Sequence, residues 1–337
     1  MGLLTFKGGI HPNDGKSLAK DKAIVEVLPE GDLVFPLSQH IGAPAAPIVK
    51  VGDQVLKGQK IAEAGGFVSA PVYSSVSGKV KAIAPYFTPT GGKISSIIIE
   101  NDGTYTEAER LNTRSLDLIT KEEILNLISE AGIVGMGGAG FPTRVKLSPK
   151  EPEKIEYVIA NCAECEPYIT ADYRRMLENP EELVEGMRVL LKLFDNAKGI
   201  FAVEDNKPDC IAQLEQLTSG EPRMEVVRLM TKYPQGGERQ LIYAVTKRAI
   251  NSSMLPADVG CVVDNVETII HIYDAVVNGR PCIDRVVTVS GDGIAEPGNF
   301  KVPLGINQQE LIKAAGGLKG APEKVISGGP MMGFAMF

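Results

Sequence analysis

The stretch Ile133-Val-Gly-Met-Gly-Gly-Ala-Gly-Phe-Pro-Thr-Arg-Val-Lys146 concentrates residue types that could bind a phosphorylated, flat ligand. Gly135, Gly137, Gly138 and Gly140 remove Cβ atoms from a short loop, so backbone N–H groups can come close to a phosphate or a ring. Phe141 offers an exposed aromatic face, and Pro142 suits the first turn of a helix. Arg144 and Lys146 place cations nearby. The combination reads as a nucleotide-phosphate cradle with a stacking residue beside it, and a plain glycine turn between two helices is the alternative.

The spacing Gly135-x-Gly137-x-x-Gly140 matches a dinucleotide fingerprint, but that fingerprint follows a strand. Here the preceding Lys121–Glu130 is helix-like, with Ile124, Leu127 and Ile128 three and four apart. No Gly-Lys-Ser/Thr closes a Walker loop. The loop is therefore expected to serve a nucleotide site of another kind.

Three further clusters could complete it. Asn161-Cys-Ala-Glu-Cys-Glu-Pro-Tyr168 follows a short apolar run, Ile155–Ala160, expected to be a buried strand. Asn161, Glu164 and Glu166 would then lie at a strand's carboxyl end, where open α/β sheets bind ligands. Asn both donates and accepts, while carboxylates accept from ribose hydroxyls or a carboxamide. An ordinary solvated acidic loop is the competing reading. Cys162 and Cys165 lack the second pair a zinc site needs, since Cys210, Cys261 and Cys282 stand alone, so they read as two loop thiols and no metal site is expected. Tyr233-Pro-Gln-Gly-Gly-Glu-Arg-Gln-Leu-Ile242 is a second glycine turn entering a helix; Gly236 and Gly237 could present N–H groups there, and Glu238 or Arg239 could gate it. Asp264-Asn-Val-Glu-Thr268 opens another helix, with Asp264 or Asn265 either capping it or touching a ligand.

The elements that must carry these clusters divide the chain in three. Residues 1–110 read as all-β: Val51–Ile61 alternates apolar residues around Gly-Asp and Lys-Gly turns, and Ala70–Val80 adds strands about an expected Ser77-Gly78 turn. This pattern resembles the barrel-sandwich fold of biotinyl and lipoyl carriers, yet Gly65-Gly-Phe-Val-Ser69 stands where the carrier lysine belongs, so a docking or structural role is expected. Residues 111–278 alternate helices and strands, with an Asn179-capped helix to Leu191, a strand at Gly199–Val203 and a helix from Pro208, which predicts a Rossmann-like α/β layered domain with a largely parallel sheet. Residues 279–337 give strand 286–290, a strand near Phe300 and a helix at Gln308–Ala315, a small β-grasp module. The fold expected is multidomain α/β.

Composition narrows the function. The 337 residues are 44% apolar with net charge −7, which speaks against nucleic acid as a general partner. No apolar run approaches the roughly 20 residues that span a bilayer. Five cysteines without a secretion signal fit a reducing compartment. Only three histidines, scattered at His11, His40 and His271, oppose a histidine-rich metal site.

Taken in order, the four clusters resemble the flavin and NADH site of the 51 kDa flavoprotein subunit of respiratory complex I. Phe6-Lys-Gly-Gly-Ile-His-Pro12, Pro36-Leu-Ser-Gln-His-Ile-Gly-Ala-Pro44 and Gly66-Phe-Val-Ser-Ala-Pro71 narrow this to a resemblance, over the whole chain, to the RnfC family of the Rnf electron-transport complex. The resemblance implies a ferredoxin:NAD oxidoreductase subunit that binds FMN noncovalently and exchanges hydride with NAD(H). It implies other Rnf subunits as partners, ferredoxin reached indirectly, coupling to ion translocation, and a peripheral place on the cytoplasmic face of the bacterial cell membrane. Carried over by motif, Gly135, Gly137, Gly138, Lys146, Asn161, Glu164, Gly236, Gly237, Asp264, Asn265 and Thr268 are expected around FMN. Phe141, Glu166 and Glu238 are expected to meet the nicotinamide. Met136 replaces an arginine of the complex I relatives, which removes one phosphate cation. The family's cysteine repeats for [4Fe–4S] clusters are expected only beyond this chain, which reads as cut short at its C-terminus. Two other readings share the domain plan: a cobalamin reductase, and a non-catalytic docking protein like the A subunit of sodium-pumping quinone reductase.

Overall fold

The computed structural model describes residues 2–88 and 91–336. Its N-terminal strand β1 (Ile24–Glu26) precedes a set of antiparallel strands, the last two long: β2 (Leu33–Pro36), β3 (Ala46–Pro47), β4 (Gln54–Val55), β5 (Lys60–Glu63), β6 (Val72–Tyr73), β7 (Gly78–Phe87) and β8 (Lys93–Asn101). They form two sheets, β2-β8-β7-β4 and β3-β5-β6, around a core that includes Leu33, Phe35, Ile61, Val80, Ile97 and Ile99. The expected Ser77-Gly78 turn is instead the start of β7. Gly78 lies against its neighbour so closely that a Cβ would sit 2.0 Å from the Glu100 carbonyl oxygen.

The central region begins with α1 (Lys121–Glu130), whose start is a capping box between Thr120 and Glu123. After the glycine loop come α2 (Thr143–Lys146), β9 (Tyr157–Cys162), α3 (Ala171–Glu178), α4 (Pro180–Leu193), β10 (Lys198–Glu204), α5 (Pro208–Leu217), β11 (Met224–Leu229), α6 (Glu238–Thr246), β12 (Cys261–Asn265) and α7 (Val266–Asn278). The strands are parallel and lie in the order β11-β10-β9-β12. Their alternate residues face two cores. Val158, Ala160, Cys162, Phe201 and Val262 pack with α1, α4 and α7, while Ile159, Ile200, Ala202 and Val263 pack with Leu241 and Ile242 of α6. Burial of each large apolar side chain stabilises by roughly 1.5–3 kcal/mol, so this double-sided sheet is the rigid frame of the molecule.

Two local expectations are corrected. The strand expected at Ile155–Ala160 starts later, because a 3₁₀ turn at Pro152–Lys154 delays it and register begins with Tyr157 opposite Lys198 and Cys261. Cys162 therefore belongs to the strand core, not to the loop. Asn179 stands at the start of α4 without capping it by its side chain, whose oxygen accepts from Arg175 instead.

The C-terminal region holds β13 (Asp284–Val289), β14 (Gly298–Pro303), α8 (Gln308–Ala314) and a small hairpin of β15 (Ile326–Ser327) and β16 (Phe334–Ala335). Its sheet is completed from the other end of the chain: β1 pairs in parallel with β14, giving the order β1-β14-β13. The residues before β1 act as a strap. Leu4 bridges to Leu229, Ile10 to Tyr233, and the Asp14 carbonyl accepts from the Tyr168 N–H at 2.6 Å. No helix among the described residues is long and apolar enough to cross a membrane.

Candidate functional site

In the order β11-β10-β9-β12 the chain reverses its direction of winding at β9, which leaves a crevice beyond the carboxyl ends of β9 and β12. Asn161 and Asn265, opposite each other in register, stand at its floor. The glycine loop lies along the same place. Gly135 N–H donates to the Phe141 carbonyl at 2.8 Å, closing the loop's neck, and Met136 N–H donates to Thr268 Oγ1 at 3.0 Å. Gly137 packs on Asn265, where a Cβ would come within 3.1 Å of the Asn265 Cβ. Asn265, not Asp264, caps α7: its Oδ1 accepts from the Glu267 and Thr268 N–H groups, and its Nδ2 donates to Asp172 Oδ2 at 2.6 Å.

On the other side, Asn161 Nδ2 donates to the Gly236 carbonyl at 2.8 Å, and Gly236 N–H donates to Cys165 Sγ. The first and second glycine turns are thus tied to one crevice. Lys146, on the last turn of α2, donates to the Val263 carbonyl at 2.7 Å and pairs with Asp264 at 3.3 Å and with Glu238 at 3.9 Å. Burial alone would depress the Lys146 ammonium, but these two carboxylates hold it above the usual lysine range. Burial pushes Asp264 up despite Lys146, and its Oδ2 is left buried without a hydrogen-bond partner. An orphaned carboxylate oxygen there, in the same crevice as the open loop face at Gly138, fits a ligand that brings hydroxyl or ring N–H donors.

The acidic residues separate. Glu164 adopts a left-handed backbone, and its side chain, 3% exposed, turns inward. It accepts from the Asp172 N–H at 2.7 Å and lies 3.7 Å from Lys16 of the strap. Its contribution to the crevice is therefore the shape of the loop: one carboxylate oxygen is bonded to α3, and the other is buried with the Lys16 ammonium 3.7 Å away and no hydrogen-bond partner. Glu166 accepts from the backbone N–H groups of Met331 and Met332 at 2.7 and 3.2 Å, which docks the C-terminal hairpin onto the acidic loop. Phe141 is half-buried where an exposed face was expected, because the bridge between Val134 and Pro142 folds the loop's end back on itself. Arg144 leaves the loop altogether and donates to Asn126 of α1. Gly138, where an added Cβ would meet nothing within 4 Å, is the open face of the loop.

Sequence reasoning missed Asp172. Its carboxyl is pushed up to about 7, first by burial and then by Glu164 and Glu267 nearby. Its place in the first turn of a helix just after an acidic loop was the available signal, but only the fold brings it to Asn265. Lys16 and Lys207 were missed as well; both donate to carbonyls of the acidic loop, Lys16 to Glu166 and Ile169, Lys207 to Ala163. Cys165 is half-buried in that loop, and no group of three or more His, Cys, Asp or Glu residues among those described could hold a metal ion.

Three family models match in the order of the architecture: the RnfC barrel sandwich hybrid domain at 4–104, the Nuo51 FMN-binding domain at 128–274 and the SLBB domain at 286–335. Over 99% of its length the chain is 49% identical to the C subunit of the proton-translocating ferredoxin:NAD⁺ oxidoreductase complex of Clostridium ljungdahlii, and it covers 73% of that relative. The chain belongs to the RnfC family. A Na⁺-translocating counterpart from Acetobacterium woodii is 43% identical over 99% of the chain, which covers 75% of that relative. An NAD⁺-reducing [NiFe]-hydrogenase in its air-oxidized state shares the fold, with a TM-score of 0.50 over 63% of this chain and 44% of its own at 24% identity. The chain thus combines, in a mixed α/β fold, an RnfC barrel sandwich hybrid domain, a domain of the Nuo51 FMN-binding type and an SLBB domain.

Proposed function

We propose that this chain is the NADH-oxidising flavoprotein module of its complex, binding FMN in the crevice between β9 and β12. The observation that carries the reading is the convergence there of both glycine turns, Asn161, Asp264, Asn265 and Thr268 around an open loop face. The chemistry that FMN supplies when bound is hydride exchange with NAD(H).

The chain's own residues do the rest. Gly135, Gly137 and Gly138 let backbone N–H groups approach, and the N-terminus of α7 adds its partial positive charge beside Asn265 and Thr268. Gly236 and Gly237, whose own N–H groups are taken by Cys165 Sγ and the Pro234 carbonyl, keep the entry to α6 clear of side chains. The Lys146–Asp264 pair fixes a polar wall, with Asp264 Oδ2 accepting from the ligand. Phe141, Glu166 and Glu238 are assigned to the nicotinamide nucleotide. Glu166 already accepts two N–H groups, so a carboxamide donor would take the place that the Met331 amide holds. Glu164 acts through the loop it shapes. We read residues 1–110, 111–278 and 279–337 as the three modules, with the strap and β1 serving the latter two. The other components of the complex are the partners, electrons leave toward ferredoxin through clusters elsewhere in it, ion translocation is coupled to that flow, and the chain sits peripherally on the cytoplasmic face.

Titrating the purified chain with FMN tests this. Bound-flavin absorption bands that bleach with NADH are expected. Failure to retain flavin at micromolar concentration would favour a docking scaffold.

A further inference from the structure

A phosphate bound at the glycine loop needs a cation, and the geometry moves that duty away from Lys146. The Lys146 ammonium is already engaged by the Val263 carbonyl, Asp264 and Glu238. Met136 brings no charge to the loop. Arg285 does. It lies on β13 in the C-terminal sheet, is exposed, and reaches across to donate from Nη2 to the Met136 carbonyl at 3.4 Å. Among the described residues it is the cation that hydrogen-bonds the loop between 135 and 140.

The guanidinium meets the loop beside the N-terminus of α7. Met136 N–H is bonded to Thr268 in the first turn of α7, and Gly137 packs on Asn265. Arg285 is also close enough to offset part of the upward push on Asp172, the carboxyl that accepts from Asn265. A 3.4 Å contact with a neutral carbonyl is a long bond, and it engages one of five guanidinium donors. The planar fork is left able to meet a phosphate with two parallel bonds, which a lysine cannot do. Carboxylates crowd the crevice at Asp172, Asp264 and Glu238, so an anion arriving there without such a cation would meet net repulsion.

We infer that Arg285 is a binding residue for the phosphate monoester of the flavin nucleotide, supplied in trans by the C-terminal sheet and not by the glycine loop. The inference rests on the flavin reading given above. It means that the flavin site is complete only when the two modules are docked.

The test is fluorescence titration of the full chain with FMN and, in parallel, with riboflavin, which lacks the phosphate. Arg285→Ala is expected to weaken FMN roughly ten- to hundredfold, the range for a lost charge-assisted bond, and to leave riboflavin unchanged. Arg285→Lys, which keeps the charge and most of the reach but loses the planar fork, is expected to fall between. Adding Met136→Arg to Arg285→Ala should restore part of the FMN affinity, because position 136 lies one hydrogen bond from the guanidinium. Equal losses for both flavins, or no loss for FMN, would overturn the assignment of Arg285 while leaving the flavin site standing. A wild-type chain that binds neither flavin would overturn the site and the assignment together.

Discussion

Two glycine-rich regions of this molecule put the same residue to opposite uses. In the barrel sandwich, Gly42 and Gly65 are pressed against carbonyls, so that a Cβ would lie 2.0 Å from the Val68 oxygen and 2.1 Å from the Pro44 oxygen. Ser69 Oγ donates to the Ala43 carbonyl and accepts from Gly65 N–H, which fixes the tip that displays Phe67 at 78% exposure. At the crevice, Gly135 has ordinary backbone and no contact nearer than 3.6 Å, while Gly138 faces open space but holds a φ of 153° that favours glycine. The barrel glycines are demanded by packing, whereas the fold could accommodate a side chain at Gly135. Glycine that the fold does not require is better evidence of a ligand than glycine that it does.

The largest expected effect breaks the first region. Gly42→Ala adds a Cβ at φ 108° into a backbone oxygen and should cost about 3 kcal/mol or more, read by chemical denaturation. Near-wild-type stability would mean the barrel tip is looser than its bonds imply. Lys146→Ala strikes the charged crevice by leaving Asp264 buried without its cation. A loss of about 2 kcal/mol is expected, below the range for fully buried pairs because Lys146 is partly exposed, together with weaker FMN binding. Adding Asp264→Asn should return the stability but not the flavin, and a double-mutant cycle would show this.

Gly135→Ala sharpens the contrast directly. Its added methyl makes ordinary contacts, so stability should stay within about 0.5 kcal/mol while FMN affinity drops by about tenfold. Matching losses in both would erase the distinction between the two regions. pH separates them as well. A carboxyl raised to about 7 in the fold binds its proton more tightly than in the unfolded chain. Asp172 therefore stabilises fully below its unfolded value near 4, and that stability is lost as pH rises through about 7. Wild type minus Asp172→Asn should slope downward with pH over that window, by no more than about 1.4 kcal/mol per unit for one proton. A flat difference curve would remove Asp172 from the titrating set. The smallest effect is expected from Glu166→Gln, which weakens an acceptor by about 1 kcal/mol and should raise the NADH requirement while flavin stays bound. Stopped-flow bleaching measures it, and parallel loss of flavin would place Glu166 in the FMN shell.

Much of this was legible in residue order. Helical spacing at Ile124, Leu127 and Ile128 placed the glycine loop after a helix, and Pro180, Pro208 and Glu238 marked helix starts that the structure keeps. Runs such as Gly199–Val203 read as buried strands because a parallel sheet hides both faces. Phe67, in the place of a carrier lysine, was visible without any coordinates. These are local properties, carried by side-chain chemistry and periodicity within a few residues.

What the tertiary structure decided is everything that depends on sequence-distant contact. The three residues of β1 carry no pattern that assigns them to β14, some 275 positions away, and only the pairing shows it. Asp264 and Asn265 were equal candidates for the cap until geometry gave the α7 amides to Asn265. Glu164 and Glu166 look alike in sequence, yet one turns into α3 and the other holds the C-terminal hairpin. Lys146 and Arg285 are each simply basic in the chain. Ion pairing with Asp264 and Glu238 commits Lys146, whereas Arg285 touches the glycine loop only through one long bond to the Met136 carbonyl, a difference that only the folded contacts reveal.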